Sequence, residues 1–116
     1  MTTRIYRGQR TEGGCTVTVD GQPLDPRHDL GSLAAGFEWG YDGTGPRQLA
    51  LAILADHFGA AEAALARYQT FTRAVIETLD AESWTLSGDD IERSFASFSQ
   101  VPMTLAELLA KVRGER

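Results

Sequence analysis

The run Gly43-Thr44-Gly45-Pro46-Arg47 is where residue types and spacing come nearest to chemistry in this chain. A glycine-rich turn that opens a helix leaves backbone N–H groups unpaired at the positive end of the helix dipole. A cation beside them can complete a cradle for a phosphate or carboxylate. Arg47 supplies that cation, and with Trp39 the loop outlines a small anion- or nucleotide-binding, or hydrolytic, site. The run lacks the Gly-Lys-Ser/Thr ending of a Walker loop and the spacing of a dinucleotide fingerprint, and Pro46 removes one donor. The same residues also make a plain tight turn, in which Gly45 lets the loop approach a sheet and Arg47 pairs with Asp42 or Glu38.

Just upstream, Phe37, Trp39 and Tyr41 alternate, so an extended segment would project three rings from one side. Such a row can stack single-stranded bases when cations lie nearby. Here the neighbours are Glu38 and Asp42, which repel a phosphate backbone, and the competing use of the rings is a wall of the core. Asp80, Glu82, Asp89, Asp90 and Glu92 fall in a stretch with no basic residue, which is either a solvated surface or an acidic face for a basic partner. Cys15 reads as a small buried hydrophobe with an inert thiol. His28 and His57 lack a partner at metal-ligand spacing, and no two carboxylates are spaced for acid–base work. The sequence therefore names no catalytic residue, metal site or cofactor.

These groups need elements to hold them. Arg4-Ile5-Tyr6-Arg7 is a short strand, Gly13-Gly14 a turn, and Cys15-Thr16-Val17-Thr18-Val19 a strand with Cys15, Val17 and Val19 on one face. Asp20-Gly21 is a primed hairpin turn, and Gln22-Pro23-Leu24 the short return at a sheet edge. Residues 25–36 form a loop. Arg47 to Phe58 is apolar nearly all round, the mark of a central helix, with Pro46 in its first turn and Gly45 or Thr44 as its cap. A second helix spans Ala61 to Leu79, with Leu65, Tyr68, Phe71, Thr72, Val75, Ile76 and Leu79 at helical spacing. Ser83-Trp84-Thr85-Leu86-Ser87 is a further strand, and Ser87 or Asp89 opens a helix carrying Ile91, Phe95 and Phe98. Val101-Pro102 ends it. Thr104 and Glu107 are spaced as a capping box for a last helix whose stripe is Leu105, Leu108, Leu109 and Val112. The expected fold is α+β: a small antiparallel sheet, built from the N-terminal hairpin or meander and the later strand, on a buried helical hairpin with one or two C-terminal helices.

At 116 residues and 42% hydrophobic, the chain is sized for one domain over 1–116. No apolar run is long enough to span a bilayer, and Met1-Thr2-Thr3-Arg4 leads into no secretory h-region. A single cysteine excludes an internal disulfide, so a reducing cytoplasm is the expected location. A net charge of -5 argues against duplex DNA as the main ligand.

The segment Gly36-Phe37-Glu38-Trp39-Gly40-Tyr41-Asp42-Gly43-Thr44-Gly45-Pro46-Arg47-Gln48-Leu49-Ala50-Leu51-Ala52 resembles the signature of a family of small prokaryotic and phage proteins, the domain of unknown function 6166. Tyr6-Arg7-Gly8, Val17-Thr18-Val19-Asp20-Gly21, Tyr68-Gln69-Thr70-Phe71 and Trp84-Thr85-Leu86 are similar to the rest of its pattern. The resemblance covers residues 4–95 and leaves 96–116 as a C-terminal helical appendage. It brings no catalytic residues. It implies an accessory protein of the bacterial and phage mobile gene pool, and the expected function is non-enzymatic binding of a macromolecule. The partner is expected to be a protein, and an acidic antagonist of a host nucleic-acid-handling (defence) complex is one form of this. A homodimer through Leu105, Leu108, Leu109 and Val112 is a further expectation.

Overall fold

Along Ile5–Thr11 every second residue turns inward: Tyr6 and Gly8 are buried, Arg7 and Gln9 exposed. This is the period of a strand with one face on a core. The computed structural model describes residues 3–100, in which this strand, β1, is the middle of an antiparallel sheet. It pairs with β2 (Gly14–Val19) on one side and β4 (Ser83–Ser87) on the other, and the two-residue β3 (Gln22–Pro23) edges β2, giving the order β3-β2-β1-β4. The sheet is thus the expected N-terminal meander plus a later strand, and with the helices below the fold is α+β.

β1 is longer than its short apolar signal suggests, because Gly8, Gln9 and Arg10 are held as strand by partners on both sides. The first turn falls on Glu12-Gly13 rather than Gly13-Gly14, since Thr11 pairs with Gly14. The second turn is the expected primed one: Val19 pairs with Gln22, and Asp20 and Gly21 have φ of 51° and 85°. Asp20 also closes the sheet end, its carboxylate accepting the Ile5 N–H at 2.9 Å.

The register puts Tyr6 beside Val19 and Leu86, and Gly8 beside Val17 and Trp84, on the inner face. Gly8 is there because Trp84 lies across it. A Cβ at position 8 would fall 2.2 Å from the indole Cε2.

The helix α1 (Thr44–Phe58) is the buried rod that the sequence implies, with Leu49 to Ala55 all inaccessible or nearly so. Its cap is Gly43, one residue before Thr44 and two before Gly45, the expected candidates, and no side chain caps it. It stops at Gly59, whose left-handed backbone returns an N–H to the Ala55 carbonyl. Gln48 is the polar exception inside the rod. Its Oε1 accepts the Leu33 and Ala34 N–H groups at 2.7 and 3.1 Å, and its Nε2 donates to the Pro26 carbonyl at 2.7 Å. A fully satisfied amide of this kind is the condition for burying one. It ties the long connection between β3 and α1 onto the helix.

The helix α2 (Ala61–Ala74) packs along α1 through Ala64, Phe71 and Thr72. It ends at Ala74 rather than Leu79: Val75 leaves helical geometry at φ -124°, and Ile76–Thr78 form a 3-10 turn that drives Ile76 into the core. The β-branched Val75, Ile76 and Thr78 resist the α conformation there. Leu65, expected on the inner stripe, is 45% exposed.

The helix α3 (Gly88–Gln100) begins with a reciprocal cap, Ser87 Oγ accepting the Asp90 N–H and the Asp90 carboxylate accepting the Ser87 N–H. Ile91 is buried, and Phe95 lies 5.8 Å from both Phe58 and Phe71. The side chain of Phe98, the expected capping box at Thr104 and Glu107, and the stripe Leu105, Leu108, Leu109 and Val112 lie outside the described residues. No described helix is long and apolar enough to cross a membrane.

Candidate functional site

Trp39 is the best-anchored of the residues singled out by the sequence. It is 1% exposed, its Nε1 donates to the Ala81 carbonyl at 3.1 Å, and its ring stands edge-on to Trp84 at 5.5 Å. The Arg10 guanidinium lies 5.1 Å from the ring centre, donates Nε–H to the same Ala81 carbonyl, and pairs with Glu38 at 2.9 Å. Phe37 is half-buried and Tyr41 is 49% exposed, so the three rings do not form one row. The segment is not extended: Gly40 turns it at φ 89°, and its N–H donates to the Ile76 carbonyl. No base can stack on a ring inside the core, and Trp39 is structural.

The loop Gly43-Thr44-Gly45-Pro46-Arg47 is already occupied by the chain's own acids. Arg47 holds Asp42 with two hydrogen bonds, at 3.0 and 3.2 Å, and this guanidinium keeps the Asp42 carboxyl below its ordinary range. Gly45 packs on Glu38, whose Cβ lies 2.8 Å from where a Gly45 Cβ would be. Arg47, the cation beside the α1 N-terminus, is therefore already paired within the chain.

The acidic stretch is likewise engaged. Asp80 accepts the Glu82 and Ser83 N–H groups, Asp89 accepts the Thr3 hydroxyl, Asp90 caps α3 and pairs with Arg93, and Glu92 meets His57 Nε2 at 2.5 Å. The Ser87 N–H bond holds the Asp90 carboxyl below its usual range. Glu82 is exposed with no side-chain partner. The residues with reactive potential are spread apart too. Cys15 sits on the inner face beside Arg10, and burial, reinforced by Glu38, pushes its thiol up, away from the thiolate. His28 bonds the Ala34 carbonyl. Among the described residues no three His, Cys, Asp or Glu side chains converge for a metal.

One surface stands apart, and sequence reasoning did not single it out. The outer face of the sheet presents Arg7 between Thr18 and Thr85, and Gln9 between Thr16 and Ser83, in two cross-strand rows. Together with Gly8 and Trp84 they line an open concavity of about 590 Å3. No described element packs on this face, and Arg7, Gln9, Thr16, Ser83 and Thr85 are exposed. The Arg7 side chain makes no ion pair or hydrogen bond among the described residues, whereas that of every other described arginine does. The signal in the sequence was the hydroxyl half of the alternation, with Thr16 and Thr18 opposite Val17 and Val19, and Arg7 opposite Tyr6. What the pattern could not supply was that the described helices cover only the other side. A smaller cleft of about 160 Å3 lies between Leu24, Asp25, Arg27, Ala52 and Asp56.

The fold and this face define a small α+β domain with one sheet surface covered by helices and the other bare among the described residues. The chain belongs to the family of unknown function DUF6166, which residues 6–97 match. No curated protein and no solved structure matches it.

Proposed function

We propose that this protein is a non-enzymatic binding protein that works by contact with another macromolecule, and that the bare outer face of the sheet is its contact surface. The observation that carries the reading is Arg7, whose side chain has no hydrogen-bond or ion-pair partner among the described residues, in the centre of an open strand surface rich in hydroxyl and amide side chains. An antiparallel sheet can keep one face in water, so exposure alone assigns nothing. An arginine with no partner of any kind is different, because every other described guanidinium pairs with a carboxylate or, at Arg67, with the Ala63 carbonyl and the Phe58 ring.

The alternatives draw less support. The helix-opening loop holds its own acids, the aromatic segment has its central ring in the core, and the acidic stretch caps and braces α3. The setting in a mobile, accessory gene pool and the antagonism of a host defence complex belong to this same proposal. In that form the protein's target is a protein component of the complex, met by the sheet.

A photo-crosslinking residue placed at Thr85 or Thr16, with one at Gln69 on exposed α2 as control, tests it in cells that encode the protein. Adducts of defined mass from the two sheet positions and none from Gln69 are expected, unchanged by Glu82→Ser and Asp89→Ser. Adducts from Gln69 alone, or none from the sheet, overturn the reading.

A further inference from the structure

The outer face has a charge character that narrows what can dock on it. Its strand residues are Ile5, Arg7, Gln9 and Thr11 of β1, Thr16 and Thr18 of β2, Pro23 of β3, and Ser83, Thr85 and Ser87 of β4. None is acidic, none is aromatic, and Arg7 is the one cation. The Thr18 and Thr85 side chains stand on the strands directly either side of Arg7, about 5 Å away by strand spacing. The guanidinium fork thus points from the middle of a strip of hydroxyl and amide groups, which donate and accept without charge.

We infer that the occupant of this face is a protein segment that presents one carboxylate to Arg7 and uncharged polar groups to Gln9 and the flanking hydroxyls. This rests on the proposed contact role of the face. A guanidinium takes a carboxylate through two parallel hydrogen bonds, and an exposed arginine with no internal carboxylate is free to do so.

Other occupants fit less well. A nucleic-acid strand needs several cations along its backbone and open rings for its bases, and this face offers a single cation and only the nearly buried ring of Trp84 on a chain of net charge -5. Two copies related by a two-fold axis over this face would bring arginine towards arginine with no acid between them. The chain's own residues 101–116 carry Lys111, Arg113 and Arg116 against Glu107 and Glu115, so their excess of cations would set like charge against Arg7.

The test uses the full chain, amide and arginine Nε–H NMR spectra, and three probes. These are a capped Ser-Thr-Glu-Thr-Ser peptide, the same peptide with Gln for Glu, and a short oligothymidine strand. The Glu peptide at millimolar concentration is expected to shift Arg7 Nε–H together with the amides of Gln9, Thr16, Thr18 and Thr85. The Gln peptide should bind about tenfold more weakly, the usual gap between charge-assisted and neutral hydrogen bonding. Arg7→Gln should weaken the Glu peptide to the same level, and Arg7→Lys should retain part of the binding. Equal binding of the two peptides, binding that survives Arg7→Gln, or a larger response to oligothymidine overturns the inference. So does a shift of these signals with protein concentration alone, which would mark a second copy. If Thr85 crosslinks persist unchanged in Arg7→Gln, the contact face stands and the acidic partner falls; if no crosslink forms there, the face itself is wrong.

Discussion

The Tyr6 hydroxyl ends inside the molecule, donating to the Asp56 carboxylate at 2.6 Å, while Arg4 reaches the same carboxylate at 3.3 Å from the solvent side. Burial first, and then the hydrogen bond to Asp56, push the Tyr6 phenol well above its ordinary range. A group whose acidity is suppressed on folding contributes stability that is complete below its unfolded pKa and is lost as pH rises. The unfolded phenol ionises near about pH 10, so wild-type stability should fall above that point by about 1.4 kcal/mol per pH unit from this residue. Tyr6→Phe has no such proton to hold. Urea unfolding of both proteins between about pH 8 and about pH 11 should show their stability difference shrinking in the alkaline range. A difference that stays constant with pH would mean that Tyr6 ionises equally in both states. Tyr6 was legible in the sequence as part of a strand, but its partner was not, because Asp56 looked like the polar end of an apolar helix until the fold set the two together.

At the scale of elements, α1 carries the molecule, and its one buried amide does more than fill space. The apolar run from Arg47 to Phe58 made the central helix readable, but nothing in it singled out Gln48. In the fold it is fully buried and holds three backbone groups of the connection that precedes the helix. Gln48→Leu keeps the volume and adds hydrophobicity, yet leaves two N–H groups and a carbonyl without partners. At about 1–3 kcal/mol for each buried group orphaned, and less where water can reach it, the variant should lose about 2–4 kcal/mol. Hydrogen exchange supplies the second readout: Leu33 and Ala34 amides should lose protection before the rest of the molecule. A variant as stable as wild type would show that the connection holds without the amide. The same reasoning explains which boundaries were unreadable. Helical spacing continued through Val75, Ile76 and Leu79, and the tighter turn at Ile76 depends on what that side chain must reach in the core.

For the whole molecule the decisive fact is that the sheet has two unlike faces and the described helices lie on only one of them, so neighbouring residues on β1 answer to different demands. Periodicity revealed the inner set, Tyr6, Val17, Val19, Trp84 and Leu86, because apolar residues at alternate positions announce a core. The outer set carried no such mark, since polar residues on a strand are as compatible with plain solvation as with a docking surface. Gly8 and Arg7 put this division to a direct test. Gly8→Ala drives a methyl into the Trp84 indole, which is itself wedged against Trp39, so neither ring can yield cheaply. Overpacking of this kind costs about 1–3 kcal/mol, and the upper part of that range is expected. Arg7→Gln, one residue away, removes an exposed side chain with no partner and should change stability by no more than about 0.5 kcal/mol. Thermal unfolding of the two variants beside wild type separates the faces: a drop for Gly8→Ala alone assigns the inner face to folding and leaves the outer face free for binding. A comparable drop for Arg7→Gln would mean that the guanidinium braces the sheet, and its lack of an acidic partner would then carry no functional meaning.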